Sequence, residues 1–127
     1  MLFRSVAVSS DGRFIVSGSW DGTVKVWDAQ SGALLRSLEE HTDPVFDVAV
    51  SSDGRFIVSG SWDETVKVWD AQSGALLRSL KEHTDRVSAV AVSPDGRFIV
   101  SGSWDRTVKV WDAQSGALLR SLRGHTD

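Results

Sequence analysis

The chain of 127 residues contains no cysteine. That excludes disulfides, thiol catalysis and zinc–thiolate sites, and it leaves the redox compartment unreadable. Histidine is scarce: the three copies stand at His41, His83 and His125, too far apart for a shared metal site. No apolar run approaches the length of a membrane span. The first residues, MLFRSVAVSSDG, lack a long apolar core and meet Asp11-Gly12 early, so they do not read as a signal peptide. A soluble, cytoplasmic chain is the expectation. There is no basic surplus, since the formal net charge is −3, which argues against nucleic-acid or acidic-membrane partners. There is also no glycine-rich phosphate loop; Ser-Gly-Ser at 17–19 reads as strand with a small residue. What remains, with 41% hydrophobic and 24% charged residues, is the composition of a globular protein.

What the chain does have is repetition. Ser17-Gly18-Ser19-Trp20-Asp21-Gly22-Thr23-Val24-Lys25-Val26-Trp27-Asp28 returns at 59–70 and 101–112, with only the sixth position changed, to Glu64 and Arg106. The period is 42 residues, and residues 6–47 differ from 48–89 at five positions. A period of this length signals a solenoid, a propeller or an array. Near-identity of this degree points to recent duplication or deliberate construction, and the residues do not separate the two.

Within the second unit, Val45–Val50 alternates loosely and ends in the turn signal Ser51-Ser52-Asp53-Gly54. A second strand is expected over Arg55–Ser61 and a third over Thr65–Asp70, both rich in β-branched and aromatic residues. Ala75–Leu80 is too short for a stable helix and is read as a fourth strand. The Asp-Gly pairs at 11–12, 53–54 and 95–96 suit tight hairpins, and Pro94 fits the early corner of one. The first three strands are apolar on both faces, as strands sandwiched between layers are. Four antiparallel strands per unit, each unit pressed between neighbours, is the logic of a propeller blade. The fold class expected is therefore all-β, with three four-stranded blades at about 2–39, 44–81 and 86–123.

The chain resembles the WD-repeat (tryptophan-aspartate repeat) β-propeller family over essentially its whole length. Trp-Asp stands at 27–28, 69–70 and 111–112, and Gly-His at 124–125, with Glu-His replacing it at 40–41 and 82–83. The resemblance implies a buried hydrogen-bond tetrad of His, Ser or Thr, Asp and Trp in each blade. Carried over, His41 is expected to reach Ser59, Asp63 and Trp69, and His83 to reach Ser101, Asp105 and Trp111. Ser61 and Ser103 are the alternative hydroxyls. The first blade supplies Ser17, Asp21 and Trp27 but no preceding His, and His125 has the phase to complete it from a second molecule. A Ser, a His and an Asp in proximity also suggest a hydrolase triad, but no oxyanion-hole motif accompanies them, so no catalytic residue and no cofactor is expected.

The resemblance further places Trp20, Trp62 and Trp104 on the top face near the channel mouth, as partner-contacting residues. Leu2, Arg4, Pro44, Phe46, Arg86 and Ser88 carry over to the same face. Packing between blades is the competing reading for the tryptophans. Three blades make an open arc with two apolar ends, and head-to-tail association closes such arcs into rings. A dimer asks for about 60° per blade and a trimer for about 40°, against roughly 51° in a seven-bladed ring; the nine-bladed homotrimer is taken ahead of the six-bladed homodimer. The function expected is a non-enzymatic, self-assembling scaffold for protein or peptide binding. The alternative is a carbohydrate- or cation-binding propeller that uses the Trp ring.

Overall fold

The computed structural model describes residues 3–123, with side chains from residue 5 onward. Met1, Leu2 and His125, and the side chain of Arg4, lie outside the described set. Twelve strands follow one another in chain order and form three separate four-stranded antiparallel sheets. The first blade holds β1 (Phe3–Val8), β2 (Phe14–Ser19), β3 (Val24–Asp28) and β4 (Leu34–Leu38). The second holds β5 (Val45–Val50), β6 (Phe56–Ser61), β7 (Val66–Asp70) and β8 (Leu76–Leu80). The third holds β9 (Val87–Val92), β10 (Phe98–Ser103), β11 (Thr107–Asp112) and β12 (Leu118–Arg123). Each blade is a simple meander, so neighbours in sequence are neighbours in the sheet. The blades touch through their first strands, with β1 beside β5 and β5 beside β9.

Hydrophobic burial happens between blades. Val16, Val24, Val26 and Leu38 of the first blade close on Val45, Val48, Ile57 and Trp69 of the second. The equivalent residues Val58, Val66, Val68 and Leu80 close on Val87, Val90, Ile99 and Trp111 of the third. This explains why the strands are apolar on both sides: a middle blade needs two dry faces. Glycine sets how closely the blades approach. A Cβ on Gly18 would lie 2.7 Å from Val45 Cγ1, and one on Gly60 would lie 2.7 Å from Val87 Cγ1.

Hydrogen bonds define the two faces of the arc, where the strand-connecting turns lie. The β2–β3 turn and the linker to the next blade share one face, where Trp62 N–H donates to Pro44 O at 3.1 Å. The β1–β2 and β3–β4 turns share the other, where Ala29 N–H donates to Arg13 O at 3.0 Å. In the Asp-Gly turns, Gly12 N–H donates back to Ser9 O and Gly12 sits at φ +72°. The loop is thus a four-residue turn with glycine at its last position, and Pro94 occupies the corner after Ser93. Outer strands are tied sideways as well, for Arg36 Nε donates to Gln72 O and Arg78 to Gln114 O.

Candidate functional site

Two complete side-chain tetrads sit at the blade junctions. Trp69 Nε1–H donates to Ser59 Oγ at 2.9 Å, and Ser59 Oγ lies 2.7 Å from His41 Nε2. His41 Nδ1 lies 2.7 Å from Asp63 Oδ2. The ionised Asp63 carboxylate only accepts, so Nδ1 carries the ring proton and donates it; Nε2 of the neutral ring then accepts the Ser59 hydroxyl proton. The third blade repeats this chain, with Trp111 to Ser101 at 2.8 Å, Ser101 to His83 at 2.7 Å and His83 to Asp105 at 2.8 Å. The alternative hydroxyls serve elsewhere: Ser61 Oγ–H donates to Pro44 O and Ser103 Oγ–H to Asp85 O.

Electrostatics follow from this wiring. Burial pushes the Asp63 carboxyl up, but the His41 N–H and the Thr65 hydroxyl and amide outweigh it and hold the group well below the carboxylate range. Asp105 behaves likewise, with burial opposed by Thr107, His83 and the Thr84 amide. Burial lowers the His83 pKa, and Lys109 adds to that, against the raising effect of Asp105. Thr65 and Thr107 are therefore further members of the network. Their position two residues after the turn aspartate is the signal that would have found them.

The connectivity is that of a Ser-His-Asp triad, but its access is not. Ser59 and Ser101 are both 0% exposed, and each oxygen already accepts an indole N–H. No substrate carbonyl can approach such an oxygen. The arrangement binds each blade to the linker that follows the previous one. In the first blade, Trp27 Nε1–H donates to Ser17 Oγ at 2.9 Å, and Asp21 accepts from Thr23.

The tryptophans that precede each turn form a ladder across the top face. Trp20 and Trp62 ring centroids are 5.2 Å apart, and Trp62 and Trp104 are 6.1 Å apart. Phe46 closes a triangle with Trp20 at 6.4 Å and Trp62 at 5.1 Å. The Arg86 guanidinium lies 4.0 Å from the Trp62 ring and 5.0 Å from the Trp104 ring. Trp62 is half-buried, whereas Trp20 is 42% and Trp104 52% exposed. Packing and surface display thus coexist along one ladder. Pro44 and Ser88 border it on the linker and first strand.

Register irregularities show why one position varies. In the second blade Val45 pairs with Ser61 and Asp47 with Gly60, which leaves Phe46 as a bulge residue. Ser88 is the bulge residue of β9, between the pairs Val87–Ser103 and Ala89–Gly102. A bulge frees one side chain from the pleat and re-aims it. One further residue went unmarked by the sequence. Asp47 accepts from Ser5 Oγ at 2.7 Å, from its neighbour Val48 N at 3.0 Å and from Val90 N at 3.0 Å. It thereby pins the inner strands of all three blades.

A family model described as "WD domain, G-beta repeat" matches residues 3–28, 32–70 and 74–112. The chain belongs to the WD-repeat family of β-propeller blades. A ribosome biogenesis protein BOP1 homolog of Drosophila grimshawi is 50% identical over 38 residues, 30% of this chain and 5% of that one. The Drosophila erecta counterpart is 48% identical over 44 residues, 35% of this chain and 5% of its own. This chain thus spans about a twentieth of those curated relatives. Among solved structures, that of U3-55K superposes with a TM-score of 0.95 at 30% identity, over 98% of this chain and 40% of that one. The RRP9 WD40 repeats superpose equally well, with a TM-score of 0.95 at 31% identity, over 98% and 39% respectively. The matched repeats are offset from the blades: residues 32–70 hold β4 of one blade and the first three strands of the next. A full tetrad therefore lies inside one repeat while joining two blades. Among the described residues no helix is long and apolar enough to cross a membrane.

Proposed function

We propose that this chain is a non-enzymatic propeller scaffold that closes into a ring with further copies of itself and offers its Trp-bearing face to protein partners. The observation that carries the reading is that the two ends of the arc duplicate the two halves of its buried cores. Val48 and Val90 are 5% and 8% exposed under the preceding blade, while the equivalent Val6 is 60% exposed. Leu38 and Leu80 are each 5% exposed beneath the following blade, while the equivalent Leu122 is 51% exposed. A face that self-complements in this way associates head to tail, and the rotation closes into a ring.

The trimer is preferred to the dimer. A wider wedge pulls apart the Arg36–Gln72 and Arg78–Gln114 bonds and opens voids beside Leu38 and Leu80. A narrower wedge is absorbed by the flexible arginine stems. His125, outside the described residues, would then take its place beside Ser17, Asp21 and Trp27 of the next copy. Light scattering tests the reading: three chains per particle are expected, and Val6→Asp should reduce the particle to one. Two chains would replace nine blades by six, and a stable parent monomer would refute closure.

The display of Trp20, Phe46, Trp62, Arg86 and Trp104 on one face supports the partner-binding role, since aromatic and arginine side chains dominate interface energetics. Trp62→Ala, at the ladder position whose neighbouring blades both lie in the same chain, should abolish partner capture without changing particle mass.

A further inference from the structure

We propose that the second and third blades together form a carboxylate-binding subsite for a peptide, with the Arg86 guanidinium and the Trp62 indole N–H as its donors. The proposal rests on the reading of this face as the partner-binding one, and it adds the chemistry of the partner.

Two unfilled donors lie side by side here. The half-buried Arg86 packs against the rings of both Trp62 and Trp104, and among the described residues its guanidinium donates to no acceptor. By contrast, Arg36 and Arg78 donate to the carbonyls of Gln72 and Gln114. Stacking uses the flat faces of a guanidinium and leaves its N–H edge directed outward, in the fork that fits a carboxylate. The Trp62 indole N–H is buried and makes no hydrogen bond among the described residues. The other buried indoles, Trp69 and Trp111, are each satisfied by a serine. Buried donors without acceptors are rare and mark either strain or a ligand. The Arg86 side chain lies over the Trp62 ring, and its movement would admit an acceptor to Nε1.

The neighbouring carboxylates do not supply that acceptor. Asp85 Oδ1 accepts the Arg86 backbone N–H at 2.7 Å. Asp63 is engaged by His41, Thr42 and Thr65, and Asp105 by His83, Thr84 and Thr107. Their charges also repel a long acidic run, so the site selects a single carboxylate. The Trp20–Phe46–Trp62 triangle next to it supplies an apolar wall for a flanking aliphatic or aromatic residue. At the other described junction Pro44 stands where Arg86 does, so no cationic donor is offered there.

The test is selection from a displayed random-peptide library on the immobilised full chain. Enriched peptides should carry one Asp or Glu beside an aliphatic or aromatic residue. Replacing that carboxylate by its amide, or Arg86→Gln in the protein, should each weaken binding at least tenfold, and the two changes together should do little more. Trp62→Phe keeps the ring and removes the donor, so a three- to tenfold loss is expected. Unchanged thermal melting of Arg86→Gln guards against misfolding. Selected peptides that lack a carboxylate, or that bind Arg86→Gln as well as the parent, would overturn the subsite while leaving the binding face in place. No enrichment over the bare support would overturn both.

Discussion

Two glycines at equivalent positions answer opposite questions. A Cβ on Gly60 would stand 2.7 Å from Val87 Cγ1 and 2.9 Å from Val90 Cγ1, inside the contact limit of both methyl groups. These valines are 0% and 8% exposed and belong to the packed junction, so neither has room to retreat. Overpacking of this kind costs ~1–3 kcal/mol. A Cβ on Gly102 would meet only Ala89 Cβ, at 3.8 Å, which is ordinary contact. Replacing glycine by alanine also removes about 0.4–1 kcal/mol of unfolded-state entropy where the backbone permits it. That gain applies to both positions and cancels in the comparison. Gly60→Ala should therefore melt below Gly102→Ala by the steric cost alone, roughly 3–15 °C at about 3–5 °C per kcal/mol for a chain of this size. The assay is thermal unfolding by tryptophan fluorescence on dilute, dissociated protein. Light scattering on concentrated samples supplies the second reading. There, Gly102→Ala should lower the particle mass, because the alanine methyl would strike the incoming blade of the next copy. Equal melting of the two variants would refute the close-approach argument. An unchanged particle mass for Gly102→Ala would refute the head-to-tail packing.

Three further outcomes are expected. His41→Ala should destabilise the junction of the first two blades by several kcal/mol, because it leaves the Asp63 carboxylate and the Ser59 hydroxyl buried without their partner; chemical denaturation measures this. Glu64→Gly should stabilise the fold by about 1 kcal/mol, since Glu64 stands at φ 75° where Gly22 serves in the first blade; a higher melting temperature checks it. Stability should also fall on acidification. His83 has a folded pKa below its ordinary 6.5, so the unfolded chain takes up the proton first, and stability present above that value is lost as pH drops below it. Asp63 and Asp105, depressed from 3.8, add a second loss as pH falls below that value. A melting temperature that is flat from neutral pH down to strongly acid pH would contradict both assignments.

Much of the architecture was written in the residues. The 42-residue period, the Trp-Asp pairs and the β-branched runs specify blade number and strand order, because each unit repeats one local pattern and meanders need no long-range choice. The tetrad is expected from the family resemblance alone, carried over to each repeat residue by residue, and not from the spacing of its members. The hidden elements are those that depend on how one blade meets another. No local rule separates Ser59 from Ser61, for both are buried hydroxyls of one strand; the pleat and the linker decide which faces histidine. The bulge that singles out Phe46 is a property of pairing, not of composition. Asp47, a single acidic residue in an apolar strand, acquires its role only when three inner strands come within hydrogen-bond reach. The same holds for Arg86 packed against two rings and for the Trp62 indole N–H, which meets no acceptor among the described residues. The sequence by itself determined the blades, since backbone propensity and hydrophobic alternation act over a few residues. Only the tertiary structure decided what lies between them, since side-chain contacts across a junction depend on distances that no repeat pattern encodes.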